Sequence, residues 1–115
     1  MSLVRGEVVL VSFPNSDLTT FKKRPALVVQ DNSVYTGLSQ LILALITSNL
    51  SRMGATRVRV DAATTDGRVM GLVTDSVIVT DNLATVSTRA ILKSIGKCKV
   101  MDQVDKARKT TLGLK

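Results

Sequence analysis

The chain has 115 residues, the size of a single domain with one core. Sixteen Lys and Arg stand against nine Asp and Glu, a net charge of +7, and there is no His. Imidazole acid–base chemistry is therefore excluded, and the charge favours an anionic partner, either nucleic acid or an acidic protein segment. The aromatics are Phe13, Phe21 and Tyr35, too few for a platform that stacks successive bases, so any RNA must be held mainly through phosphates and hydrogen bonds. Cys98 is alone, which rules out an intramolecular disulfide framework, points to a reducing cytoplasm and predicts a small buried hydrophobe. The longest apolar run, residues 41–46, is far short of the roughly 20 residues that cross a bilayer. A soluble protein without a secretory signal is expected.

Residues 7–13 read as a buried strand, because Val8, Val9, Leu10 and Val11 form a continuous β-prone run that stops at Pro14 and Asn15. Residues 14–23 read as a loop, and its Asn15, Ser16, Asp17, Thr19, Thr20, Lys22 and Lys23 give it the polar, cationic character of a binding segment. Residues 26–30 and 41–47 are expected as central strands, apolar on both faces, with Asp31, Asn32, Ser33 and Gly37 supplying the turn chemistry between them. Residues 56–61 alternate strictly, which predicts a strand with one face in solvent and Arg57 and Arg59 pointing outward together. Further short strands are expected over 69–74 and 76–80, around Asp75, with another start at 85–86 ahead of 89–97.

The tail predicts a helix. Met101, Val104, Arg108, Thr111 and Leu112 fall on one face, Asp102 and Asp105 come early, and Lys106, Arg108 and Lys109 come late, which suits the helix dipole; Gly113 is placed to cap the end. No repeat, low-complexity tract or linker interrupts the chain. The expectation is one domain over residues 1–115, β-rich α+β, a small barrel with a C-terminal helix.

Two segments carry chemistry. Arg24-Pro25-Ala26-Leu27-Val28-Val29 and Leu45-Ile46-Thr47-Ser48-Asn49 each set a charged or polar group at the edge of an apolar strand, an arrangement that builds a phosphate-facing site without histidine. With them, Arg5-Gly6-Glu7-Val8-Val9-Leu10-Val11 and Ser76-Val77-Ile78-Val79-Thr80-Asp81-Asn82-Leu83-Ala84-Thr85 complete four segments whose order and spacing resemble the MazF/PemK (Kid) toxins of bacterial toxin–antitoxin systems across nearly the whole chain.

That resemblance implies a small SH3-like barrel of the CcdB/MazF type, usually dimeric, that cleaves single-stranded RNA at short sequences without a metal or other cofactor. The ribose 2′-hydroxyl is the nucleophile, and a cyclic phosphate and a 5′-hydroxyl are left. It further implies Arg24 and Thr47 as the catalytic pair and a cognate antitoxin that lays an acidic, partly disordered segment across the basic groove. The RNA-binding candidates are Asn15, Ser16, Lys22, Lys23, Ser48 and Asn49. In the Kid-type branch an arginine stands two residues before the aspartate that matches Asp81, and here that position is Val79. Asp81 is a third catalytic candidate, either as a base or in orienting Arg24, or else it forms a structural turn with Asn82. Other readings stay open at this point: Arg24 as an exposed strand-edge residue, Thr47 as a β-branched packing residue, Ser48 and Asn49 as turn formers, and Lys22, Lys23, Arg57 and Arg59 as solvated faces or as RNA contacts. Two other functions compete with the nuclease, a CcdB-like toxin that binds DNA gyrase without chemistry, and a non-catalytic nucleic-acid-binding barrel.

Overall fold

Three aliphatic runs form the middle of one sheet as β1 (Glu7–Pro14), β2 (Phe21–Val28) and β3 (Gln40–Thr47). The computed structural model describes residues 3–14, 17, 19–34 and 36–115. After β3 come β4 (Arg57–Val60), a short helix α1 (Thr65–Val69), the long β5 (Ser76–Ser87), a single 3₁₀ turn (Thr88–Ala90), β6 (Ile91–Lys97) and the terminal helix α2 (Met101–Leu112). The spatial order is β4-β5-β3-β2-β1-β6, and every neighbouring pair is antiparallel. β2 and β3 are interior strands, as the apolar stretches at residues 26–28 and 43–46 require. Among the described residues the outer strands β4 and β6 do not pair with each other, so the sheet is barrel-like and not fully closed.

Strand alternation sorts the core onto two faces. Val8, Leu27, Ala44, Ile46, Val58 and Ile78 pack with Val104 and Ala107 of α2, while Val9, Val11, Ala26, Val28, Leu43 and Ile91 pack on the other face. The helix is the one read from the sequence. Val104 and Ala107 face the sheet, and Gly113 ends it at φ 70°, a left-handed conformation that residues with a Cβ adopt reluctantly. Arg5 pairs with Asp105 and ties the helix to the start of the chain. Cys98 is buried in the helix-side core, and that burial pushes its thiol pKa up.

Three expectations are corrected. β2 begins at Phe21, opposite Pro14, so the binding loop is shorter than expected and Lys22 and Lys23 lie on a strand, across from Phe13 and Ser12. Residues 69–74 are not a strand. Thr64 caps α1 by accepting the Gly67 N–H at 3.1 Å, and the chain then turns through Gly71. The expected starts at 76–80 and 85–86 are a single strand, β5, broken by a bulge: Val79 pairs with Leu45 and Leu83 with Ala44, leaving Thr80, Asp81 and Asn82 without partners on β3. Thr80 anchors that bulge, fully buried, with its backbone N–H and its hydroxyl both donating to the Thr56 carbonyl.

Candidate active site

Arg24 and Thr47 come from the neighbouring strands β2 and β3. Their ladder pairs Val28 with Leu43, Leu27 with Ala44 and Ala26 with Leu45, and the same register continued by two residues sets Arg24 across from Thr47. Alternation puts both on the face that carries Ala26 and Leu43. Beyond the last paired rung a cleft of about 420 Å³ opens, with Arg24, Thr47, Asn49, Arg52, Arg57 and Asn82 around it and Leu45 and Val79 as apolar lining.

The polar geometry of this cleft is specific. The Thr47 hydroxyl accepts the Asn49 N–H at 3.1 Å, which leaves its own hydrogen free to donate. The Asn49 side-chain carbonyl in turn accepts from the N–H and the hydroxyl of Ser51 at 3.0 and 2.6 Å, so two local turns hold the chain after β3. The Arg24 side chain is exposed and makes no hydrogen bond or ion pair among the described residues. Arg57 is held by Asp81, Nε to Oδ2 at 3.1 Å and Nη2 to Oδ1 at 3.3 Å, and Thr56 donates its hydroxyl to the same carboxylate at 2.6 Å. The Thr56 hydrogen bond, then the hydrogen bonds and charge of Arg57 and the charge of Arg52, hold the Asp81 carboxyl below the usual carboxylate range. Three guanidinium groups against one carboxylate leave the cleft electropositive.

The structure distributes the sequence-derived candidates as follows. Arg24, Thr47 and Asn49 share the cleft, while Lys22, Lys23 and Ser48 line a second groove of about 390 Å³ that Arg24 also borders, with Lys93 beside them and Leu10, Ile46 and Leu72 as apolar lining. Asp81 reaches the cleft through Arg57, and its hydrogen bonds go to Arg57 and Thr56, none to Arg24. Asn15 and Ser16 lie outside the described residues. Arg57 and Arg59 do not form a uniform solvated face: the Arg57 side chain is 19% exposed against the cleft, whereas Arg59, 46% exposed, pairs with Asp61 and Asp75. Arg52 and Ser51 were not candidates, since a loop cation carries no periodicity to mark it. Among the described residues no three His, Cys, Asp or Glu side chains come together in a way that holds a metal ion. Among the described residues no helix is long and apolar enough to cross a membrane.

Fold and cleft together define a small barrel-like β protein whose electropositive site lies at strand ends and is built from arginine and hydroxyl groups. The chain belongs to the PemK-like, MazF-like toxins of type II toxin–antitoxin systems, whose family model matches residues 4–111. Among solved structures, the Mycobacterium tuberculosis toxin MazF-mt6 is 26% identical, with a TM-score of 0.74 over 95% of this chain and 98% of that one. An endoribonuclease from a mycobacterial species, solved in complex with its cognate antitoxin, is 20% identical, with a TM-score of 0.76 over 99% of this chain and 98% of that one. A MazE–MazF structure from Deinococcus radiodurans is 16% identical, with a TM-score of 0.75 over the whole of both chains. The last two are too distant in sequence to speak for more than the fold. No curated protein sequence matches the chain.

Proposed function

We propose that this toxin is a metal-independent endoribonuclease that cuts single-stranded RNA, messenger RNA in the cell, at short sequences and so stops translation and growth. The observation that carries the reading is the placement of Arg24 across from Thr47 at the mouth of one electropositive cleft. In the reaction the ribose 2′-oxygen attacks phosphorus, the P–O5′ bond breaks, and a 2′,3′-cyclic phosphate and a 5′-hydroxyl form. The proton lost from the 2′-oxygen and the one gained at the 5′-oxygen exchange with water. Charge that builds on the non-bridging oxygens is met by the guanidinium of Arg24, a permanent cation, and by the free hydroxyl hydrogen of Thr47. Both Asp81 carboxylate oxygens are engaged by Thr56 and Arg57 and neither by Arg24, so its part in the site is to hold Arg57.

A cytoplasmic setting and an acidic antitoxin segment that neutralises the cleft complete the reading. It is supported by the electropositive cleft and by membership of a toxin family of type II toxin–antitoxin systems. A homodimer is also proposed, supported by Val34 and Leu38, 55% and 62% exposed, which line an open groove with Leu3 and Leu41. The test is incubation with a long single-stranded RNA in chelator, with the new ends mapped. Discrete cuts bearing cyclic phosphates are expected, and intact RNA contradicts the proposal.

A further inference from the structure

Arg57 has a setting that no other cation of the cleft shares. It lies on β4 opposite Val79 of β5, and Val79 lies opposite Leu45 of β3, so one row across the sheet carries Arg57, Val79 and Leu45 into the cleft. The bulge at Thr80, Asp81 and Asn82 lifts Asp81 out of the ladder with β3, and Thr56 and Arg57 on the β4 side take up its carboxylate. A guanidinium has five N–H donors in a rigid plane. Two of those on Arg57 go to Asp81, and the rest make no hydrogen bond among the described residues. Arg24 is exposed and held by nothing comparable.

A side chain fixed in plane and depth, with donors to spare beside two other cations, is what electrostatic stabilisation of a developing phosphoryl charge requires, because no reorganisation is needed at the moment of reaction. Packing alone does not ask for it: the partly buried stem of a lysine would cover Val79 as well. A purely structural ion pair does not ask for it either, since a pair this exposed contributes little to stability.

We infer that Arg57 is a second catalytic cation of this cleft, whose unused N–H edge binds a non-bridging oxygen of the scissile phosphodiester, with Asp81 and Thr56 as its positioning residues. The inference rests on the reading of the cleft as an RNA-cleaving site.

The test compares wild type, Arg57→Ala and Arg57→Lys on one RNA carrying either an ordinary phosphate or a stereochemically pure phosphorothioate at the cleaved linkage. Wild type is expected to cut the all-oxygen RNA and to be slowed by sulfur in one of the two stereoisomers. Arg57→Ala is expected to lose about a hundredfold or more on the ordinary RNA and to discriminate less between the two stereoisomers, because one of the groups that meet the non-bridging oxygens is gone. Arg57→Lys keeps the stem and the charge but not the fork, so it covers the case in which the alanine variant fails to fold; it is expected to fall at least about tenfold. An Arg57 variant that cuts within about twofold of an active wild type overturns the inference alone, as does a slowed variant with unchanged sulfur discrimination. A wild type that cuts nothing overturns the RNA-cleavage reading and this inference with it.

Discussion

Continued two residues past its last rung, the β2–β3 register sets Arg24 across from Thr47, one a permanent cation and the other a hydroxyl whose hydrogen is left to donate. Thr47→Val keeps the β-branched shape and removes only the hydroxyl. Cleavage is expected to fall by about a hundred- to a thousandfold, the usual effect of losing one preorganised donor, with the melting temperature little changed. Rates close to wild type in single-turnover assays would return Thr47 to a packing role.

Asp81 titrates in the sense of a stabilised carboxylate. Its pKa is lowered in the fold, by the Thr56 hydrogen bond first and by Arg57 next, so its contribution is complete above the ordinary aspartate value of about 3.9 and is lost as pH falls through the lowered folded value. The effect on stability is small, because the side chain is 37% exposed. Melting curves of wild type and Asp81→Asn should differ by a constant amount near neutral pH and converge in strong acid. A gap that ignores pH contradicts the ion pair.

Lys22 and Lys23 lie at the start of β2 beside the second groove, where a strand of RNA leaving Arg24 would pass. Each alanine substitution should weaken RNA binding across sequences and lower the slope of log affinity against log salt by about 0.7, one phosphate contact on a single strand. Titrations at several salt concentrations check this, and an unaltered slope assigns the lysine to solvated surface.

Gly96 has no room for a side chain. A Cβ there would stand 2.3 Å from the Val69 carbonyl oxygen and 2.5 Å from that of Met70, both backbone atoms that cannot rotate away. Gly96→Ala is therefore expected to destabilise the fold by about 3 kcal/mol, at the upper end of ordinary overpacking. Urea denaturation measures it, and a loss under about 1 kcal/mol would mean that the α1 turn yields easily.

Much of the fold was legible wherever one signal dominated. The apolar runs of β1, β2 and β3 and the dipole-matched, glycine-ended α2 stand where periodicity put them. What escaped was set by contacts distant in sequence. Residues 69–74 look like a strand by composition, yet Gly67, Gly71 and Gly96 let α1 and its turn approach the backbone at residues 61–62 and β6 too closely for a ladder to form there. The bulge at residues 80–82 has no local mark, because Thr80 is fixed by the carbonyl of Thr56 on another strand. For the same reason Arg24 and Thr47 stood out through their motifs, whereas the alternation that exposed Arg57 could not reveal the carboxylate that turns it into the cleft.

The central claim is that Arg24 acts on RNA directly, and the most direct measurement is the cleavage rate of wild type and Arg24→Ala on one long single-stranded RNA in excess chelator, with the ends identified. Wild type should give discrete cuts with cyclic-phosphate and 5′-hydroxyl ends. Arg24→Ala, folded and with an unchanged melting temperature, should be slower by at least about a hundredfold. Equal rates for the two proteins, or cutting by wild type only once magnesium is restored, would contradict the account.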